Sequence, residues 1–178
     1  YILANIATNN HRFNSKIVGT ILTNSGLEKS LKNKGIQLYR SDVGDKNVLR
    51  LMRQTGSIIG GENSGHIINL EYAPSGDGLM TSLLIMKTMI EREKSIDELL
   101  DGLDLIPQLS RNIETDLTEI SNDFIAEISD DANTNLKNGR VLVRKSGTEP
   151  LLRITVESKD KVDAQKIFES IKTQINQA

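Results

Sequence analysis

A chain of 178 residues with 37% hydrophobic and 26% charged residues has the composition of a soluble globular protein of one domain or two small ones. Its net charge of −2 excludes a broad cationic footprint for nucleic acid, and the absence of cysteine excludes a disulfide framework and thiolate chemistry. The longest apolar run, GLMTSLLIMKTMI, is interrupted by Thr, Ser and Lys and is too short to span a bilayer, so no membrane partner is expected.

Aromatic residues make up only 3%, so the core is expected from Ile, Leu, Val and Met. No signal peptide is visible, a reducing cytoplasm is compatible, and the start at Tyr1 rather than Met reads as a fragment. KIVGTILT, from Lys16, is a β-branched strand-like run. A helix should follow, with Ser25 and Glu28 as a capping box, Leu27 and Leu31 on one face and Gly35 as its stop. IQLYRS alternates as a second strand. Asp45 is expected to cap a second helix that buries Val48, Leu49 and Met52 and ends at Gly56. SIIGG starts a third strand, and HIINLEY is expected to run antiparallel after a tight loop. Strand, helix, strand, helix, strand implies βαβ units and a largely parallel sheet.

GDGLMTSLLIMKTMIEREKS predicts a long helix with Asp77 near its start, apolar on most faces and therefore buried. Ser95 and Glu98 form a second capping box on a short helix. Pro107 and a new strand-like run mark a boundary near residues 104–108, where a hinge is expected. Beyond it a helix should align Ile120, Phe124, Ile125 and Ile128, and DDANTNLKNG reads as a polar connector. RVLVRK and LLRITVES are two strands. Asp160 caps a last helix with Ala164, Ile167, Phe168, Ile171 and Ile175 in one stripe. The expected fold class is a mostly parallel α/β domain over residues 1–103, followed by a smaller α+β domain over 104–178.

Two loops carry chemistry. RKSGTEP lies between the last two strands. Gly147 allows backbone N–H groups to converge, Ser146 and Thr148 add hydroxyl donors, and Arg144 and Arg153 bracket the loop with planar guanidiniums that match phosphate oxygens. The other reading is a polar hairpin loop with solvated charges. GGENSGH places Glu62 and Ser64 two residues apart, pointing the same way in an extended loop, with His66 opening the next strand. A carboxylate, a hydroxyl and an imidazole suit a polyhydroxylated ligand; a plain turn with a surface histidine is the other reading. One loop would hold phosphate and the other sugar. Lys46 at a helix start and the lone His11 are weaker candidates, and two histidines without cysteine make no zinc site.

GGENSGH and RKSGTEPLLR together, with VGTILTNSGL, VGDKNVL and SGDGLM in order, resemble the α-D-phosphohexomutases, and among them the bacterial phosphoglucosamine mutase branch. The likeness runs over essentially the whole chain, as the third and fourth of four domains with the start of the third missing. The resemblance implies interconversion of glucosamine 6-phosphate and glucosamine 1-phosphate, on the route to UDP-N-acetylglucosamine and the cell wall. It implies a phosphoserine in the first domain, a bisphosphorylated sugar intermediate, and Mg²⁺ on an aspartate-rich loop of the second domain. Glu62 and Ser64 match residues that hold sugar hydroxyls, with His66 in the same loop. Arg144, Ser146, Gly147, Thr148 and Arg153 match the clamp on the distal phosphate. The implied partners are a hexosamine phosphate and the N-terminal domains of the same enzyme, in the cytoplasm, with neither nucleic acid nor membrane. The chain contains no phosphoserine loop and no Asp-Gly-Asp-x-Asp-Arg loop, so it is expected to be inactive alone, with no catalytic residue and no metal ligand of its own. Asn63 stands where such enzymes more often carry Gln, and Asp42 where some carry a cation. A phosphomannomutase or phosphoglucomutase, or a stand-alone sugar-phosphate binding module, are the alternatives.

Overall fold

The computed structural model describes residues 1–116, 120–136, 139–147 and 149–177, with Asn135 in its backbone alone. Two compact units form, Tyr1–Leu105 and Ile106–Ala178.

In the first unit the parallel strands β1 (Lys16–Thr20), β2 (Gln37–Ser41) and β3 (Ile59–Gly61) and the antiparallel β4 (Ile67–Asn69) make one sheet in the order β2-β1-β3-β4. The helices are α1 (Ile2–Ala7), α2 (Ser25–Lys32), α3 (Asp45–Thr55), α4 (Gly78–Arg92) and α5 (Ile96–Leu99). Strand periodicity sorts the core onto two faces. Ile17, Leu38 and Ile59 share one face and pack with Ala4 and Ala7 of α1 and Leu31 of α2. Val18 and Ile68 take the other face and pack with Val48 and Met52 of α3. Both faces are covered, as the continuous apolar runs of parallel strands require. Gly60 on β3 lets α3 lie close, since a Cβ there would meet Met52 Sδ at 2.5 Å and Val48 Cγ1 at 2.9 Å.

Several local expectations differ from what forms. The cap of α2 is Asn24, whose side chain accepts from the Gly26 N–H, while Glu28 pairs with Arg40 at 2.7 Å. Ser25 is already helical, so it cannot act as the cap. Gly44 is the N-cap of α3 and Asp45 its first residue, because the chain enters at φ 115°, a region open to glycine. The left-handed Gly56 does end α3, Asp77 caps α4 by accepting from the Met80 N–H, and the Ser95–Glu98 capping box is present. The N-terminal α1 carries no periodic signature, since at six residues it is too short to show a stripe.

The larger correction concerns α4. Its apolar composition suggested burial, yet Thr88 is its only buried residue, and Leu79 and Ile90 are 74% and 76% exposed. Leu79, Leu83, Met86 and Ile90 lie at helical spacing along one exposed stripe. An apolar helix is buried only on the face that finds a packing surface, and here α4 packs against α1.

In the second unit β5 (Gln108–Glu114), β6 (Gly139–Lys145) and β7 (Leu151–Ser158) form an antiparallel sheet in the order β5-β7-β6, joined by α6 (Asn122–Asn135) and α7 (Lys161–Gln177). One face of the sheet, with Ile113, Val141, Val143, Leu152, Ile154 and Val156, meets Ile125 and Ile128 of α6 and Phe168 and Ile171 of α7. The expected polar connector is helical as far as Asn135, because Asn133 is tied from within α6 to β6: its side chain accepts from the Val141 N–H and donates to the Val141 carbonyl. Asp160 caps α7, accepting from Val162 N–H at 2.7 Å. On the other sheet face, cross-strand register aligns Gln108, Glu157 and Arg140 in one row and Asn112, Arg153 and Arg144 in another.

Candidate sugar and phosphate loops

In an open α/β sheet, ligand-binding loops follow the C-terminal ends of the parallel strands. In the first unit those loops follow Thr20, Ser41 and Gly61. The third contains Glu62, Asn63 and Ser64 and turns through Gly65, at φ 92°, into His66. The turn is closed by the Glu62 N–H donating to the His66 carbonyl at 3.0 Å and the Gly65 N–H donating to the Glu62 carbonyl at 3.1 Å.

The three expected sugar-loop side chains do gather. Ser64 Oγ lies 3.0 Å from His66 Nδ1, and the same nitrogen lies 3.7 Å from Glu62 Oε1. His66 is more than half exposed, whereas the Glu62 side chain is only 10% exposed. The partly buried carboxylate is held from a second loop, where the Gly44 N–H donates to Glu62 Oε2 at 3.0 Å. Asn63 is held from the first, its Nδ2 donating to the Leu22 carbonyl at 2.9 Å. That first loop is in turn clamped by Arg40, whose guanidinium donates to the Thr23 carbonyl at 2.6 Å and to Glu28 at 2.7 Å. Sequence spacing placed none of these tethers. The glycine at position 44 is the signal for the first of them, and Lys46, the candidate in that loop, is exposed. Acceptor, imidazole and hydroxyl in one rim can exchange hydrogen bonds with vicinal hydroxyl groups.

In the second unit Arg144 and Arg153 are directly opposed residues of the β6–β7 ladder. Like charges across a strand pair repel. Arg153 is partly neutralised by Glu149 at 2.8 Å, while its Nε is buried with no hydrogen-bond partner among the described residues. No carboxylate pairs with Arg144 among the described residues. Burial, and after it the charge of Arg153, lowers the Arg144 pKa from the ordinary arginine value. Ser146 is buried beside them, its N–H donating to the Leu151 carbonyl at 2.9 Å. Gly147 does not take a positive φ, so the backbone freedom expected of it is not used; its missing side chain leaves open space beside the loop. Thr148 lies outside the described residues. Arg144 and Arg153 set two positive charges against the one carboxylate of Glu149 among the described residues, and a phosphate dianion would neutralise the excess in forked geometry.

Among the described residues no group of three or more His, Cys, Asp or Glu side chains is arranged to hold a metal ion. No helix among them is long and apolar enough to cross a membrane.

The chain is 41% identical over 162 residues to a phosphoglucosamine mutase of Thermotoga maritima, covering 90% of this chain and 37% of that protein. It is 38% identical over 181 residues to one from Pseudoalteromonas atlantica, covering 100% and 40%. It thus spans about two fifths of the length of these relatives. Among solved structures, an Aspergillus fumigatus N-acetylphosphoglucosamine mutase superposes with a TM-score of 0.77 at 17% identity, over 99% of this chain and 41% of that one. A second structure of that enzyme, in complex with GlcNAc-6P and magnesium, gives 0.73 at 16% identity, over 98% and 44%. These two structures establish the likeness of fold. The family model for phosphoglucomutase/phosphomannomutase alpha/beta/alpha domain III matches residues 1–105 and that for the C-terminal domain matches 91–174, and the chain therefore belongs to the phosphoglucomutase/phosphomannomutase family.

Proposed function

We propose that the chain is the sugar- and phosphate-gripping part of a phosphoglucosamine mutase that interconverts glucosamine 6-phosphate and glucosamine 1-phosphate in the cytoplasm. In this reading Glu62, Ser64 and His66 hold sugar hydroxyls. Arg144, Ser146, Gly147, Thr148 and Arg153 hold the phosphate that is not reacting. The phosphoserine that exchanges phosphoryl groups through a bisphosphorylated sugar belongs to other parts of a longer polypeptide. Mg²⁺, held there as well, would supply charge neutralisation. The described residues here do not fit a metal, and their task is binding and orientation. Phosphoryl transfer depends largely on positioning and charge stabilisation, so a grip on the distal phosphate contributes directly to rate.

The observation that carries this reading is the opposition of Arg144 and Arg153, with no carboxylate on Arg144 among the described residues. A solvated hairpin tip does not need two guanidiniums in one cross-strand pair. The choice of an amino sugar over mannose or glucose is supported by the identity to phosphoglucosamine mutases.

Titration of the chain with glucosamine 6-phosphate, glucose 6-phosphate and mannose 6-phosphate tests the binding role. Saturable binding led by the glucosamine ester, and lost in Arg144→Ala, is expected. A clear preference for the mannose ester would select a phosphomannomutase instead, and no binding of any ester would remove the assignment. For the whole reaction, this chain is exchanged for the corresponding segment of the Thermotoga maritima relative. The chimera should convert glucosamine 6-phosphate to glucosamine 1-phosphate.

A further inference from the structure

The Glu62 carboxylate is 10% exposed, and one of its oxygens is already engaged by a backbone N–H from a different loop. From this we infer that Gly44 is a positioning residue for Glu62: its amide fixes the carboxylate so that Oε1 alone faces His66 and the ligand. The inference rests on the sugar-binding reading of the 62–66 loop.

The argument starts from the backbone. Gly44 has φ 115° and ψ 135°, which L side chains rarely adopt. Space is not the constraint, since a Cβ at this position would meet only Asn47 Nδ2, at 3.6 Å. The conformation is required by what Gly44 does on both sides. Its carbonyl accepts from the N–H groups of Asn47 and Val48, which starts α3. Its own N–H points outward to Glu62 Oε2 at 3.0 Å. Asn47 stiffens the entry, its Nδ2 donating to the Val43 carbonyl at 2.8 Å. The amide is thus held by the start of an eleven-residue helix, and the helix N-terminus favours a carboxylate beside it.

The consequence is geometric. A glutamate has three side-chain torsions, and left free it would lose their entropy when a ligand arrives. Anchoring Oε2 fixes those torsions in advance. Oε1 is left 3.7 Å from His66 Nδ1, which itself lies 3.0 Å from Ser64 Oγ, so the three sugar-facing groups are arranged before binding. The chain thereby links the β2–α3 loop to sugar recognition through a backbone amide. Lys46 is not needed for this.

Two measurements on the 178-residue chain test the inference. Amide hydrogen exchange read by NMR should show the Gly44 N–H protected, and Glu62→Ala should abolish that protection while leaving the β1 and β2 amides unchanged. Calorimetric titration with glucosamine 6-phosphate should show Gly44→Ala binding about tenfold more weakly, the loss expected of one charge-assisted contact. A Gly44 amide in the unaltered chain that exchanges like a free peptide would overturn the tether, whether or not the variant folds. So would a folded Gly44→Ala chain with undiminished affinity. If instead Glu62→Ala removes the protection but leaves affinity unchanged, the tether is real and it is the sugar-binding reading, with the positioning role built on it, that falls.

Discussion

Arg144 of β6 and Arg153 of β7 are a directly opposed cross-strand pair, two guanidiniums on one face with a carboxylate, among the described residues, on Arg153 alone. The sheet keeps this repulsion in the empty protein, where burial first and the charge of Arg153 second lower the Arg144 pKa. Removing one member should therefore separate stability from binding. Arg144→Ala is expected to leave the melting temperature unchanged or slightly raised, since like charges facing each other are destabilising by a fraction of a kcal/mol to about 1 kcal/mol. The same variant should lose about 2–4 kcal/mol of affinity for glucosamine 6-phosphate, as when a charge-assisted contact is broken. Calorimetry and thermal melting of one sample read both, and a large drop in melting temperature would contradict the relationship.

At the opposite end of the same sheet the charges are compensated. Glu157 is fully buried, accepts from Gln108 Nε2 at 2.7 Å, and lies 3.4 Å from the Arg140 guanidinium. Arg140→Met should cost up to about 3–5 kcal/mol by removing a cation paired with a buried carboxylate. Arg140→Met combined with Glu157→Leu should recover part of that loss. Urea unfolding of the single and double variants gives the comparison.

Gly60 precedes the 62–66 loop and lies under α3. Gly60→Ala forces a methyl group against Met52 and Val48 and should destabilise by about 1–3 kcal/mol. Met52→Ala in the same chain removes the nearest obstacle, so the double variant should lose less than the sum of the two single variants. A double-mutant cycle measured by denaturant unfolding decides the point.

The capping box of α5 links stability to pH. Hydrogen bonds from Ser95, its backbone first and its hydroxyl second, lower the Glu98 pKa from the ordinary glutamate value. A carboxyl whose folded pKa lies below the unfolded one contributes stability above the unfolded pKa. That contribution is lost as pH falls through the folded pKa. Ser95→Ala should raise the Glu98 pKa toward its ordinary value and flatten this part of the acid limb. NMR titration of the Glu98 side chain follows it.

The apolar stripe of α4 should be tolerant. Leu83→Gln and Met86→Gln each remove an exposed side chain, so each should change unfolding free energy by no more than about 0.5 kcal/mol. Binding of a hydrophobic dye should fall in the double variant. A cost of several kcal/mol would mean that these side chains are buried in solution.

What the sequence determined on its own was local. Alternating apolar residues named the strands, Asp77, Ser95 and Asp160 announced the starts of three helices, and glycine-flanked polar runs between strands marked both candidate loops. Those signals act within a few residues and need no partner from elsewhere. Where two local signals competed, the sequence pointed to the wrong one: Ser25 and Asp45 are good caps, but Asn24 and Gly44 stand one residue earlier with the backbone a cap requires. The tertiary structure alone decided three things. Strand register brought Arg144 opposite Arg153, packing of α3 brought the Gly44 amide to Glu62, and the surface available to α4 left its apolar stripe uncovered. Each depends on elements meeting at fixed geometry, across one hairpin for the arginines and between separate elements for the other two. Burial and pairing select that geometry, and it leaves no trace in the pattern of either partner.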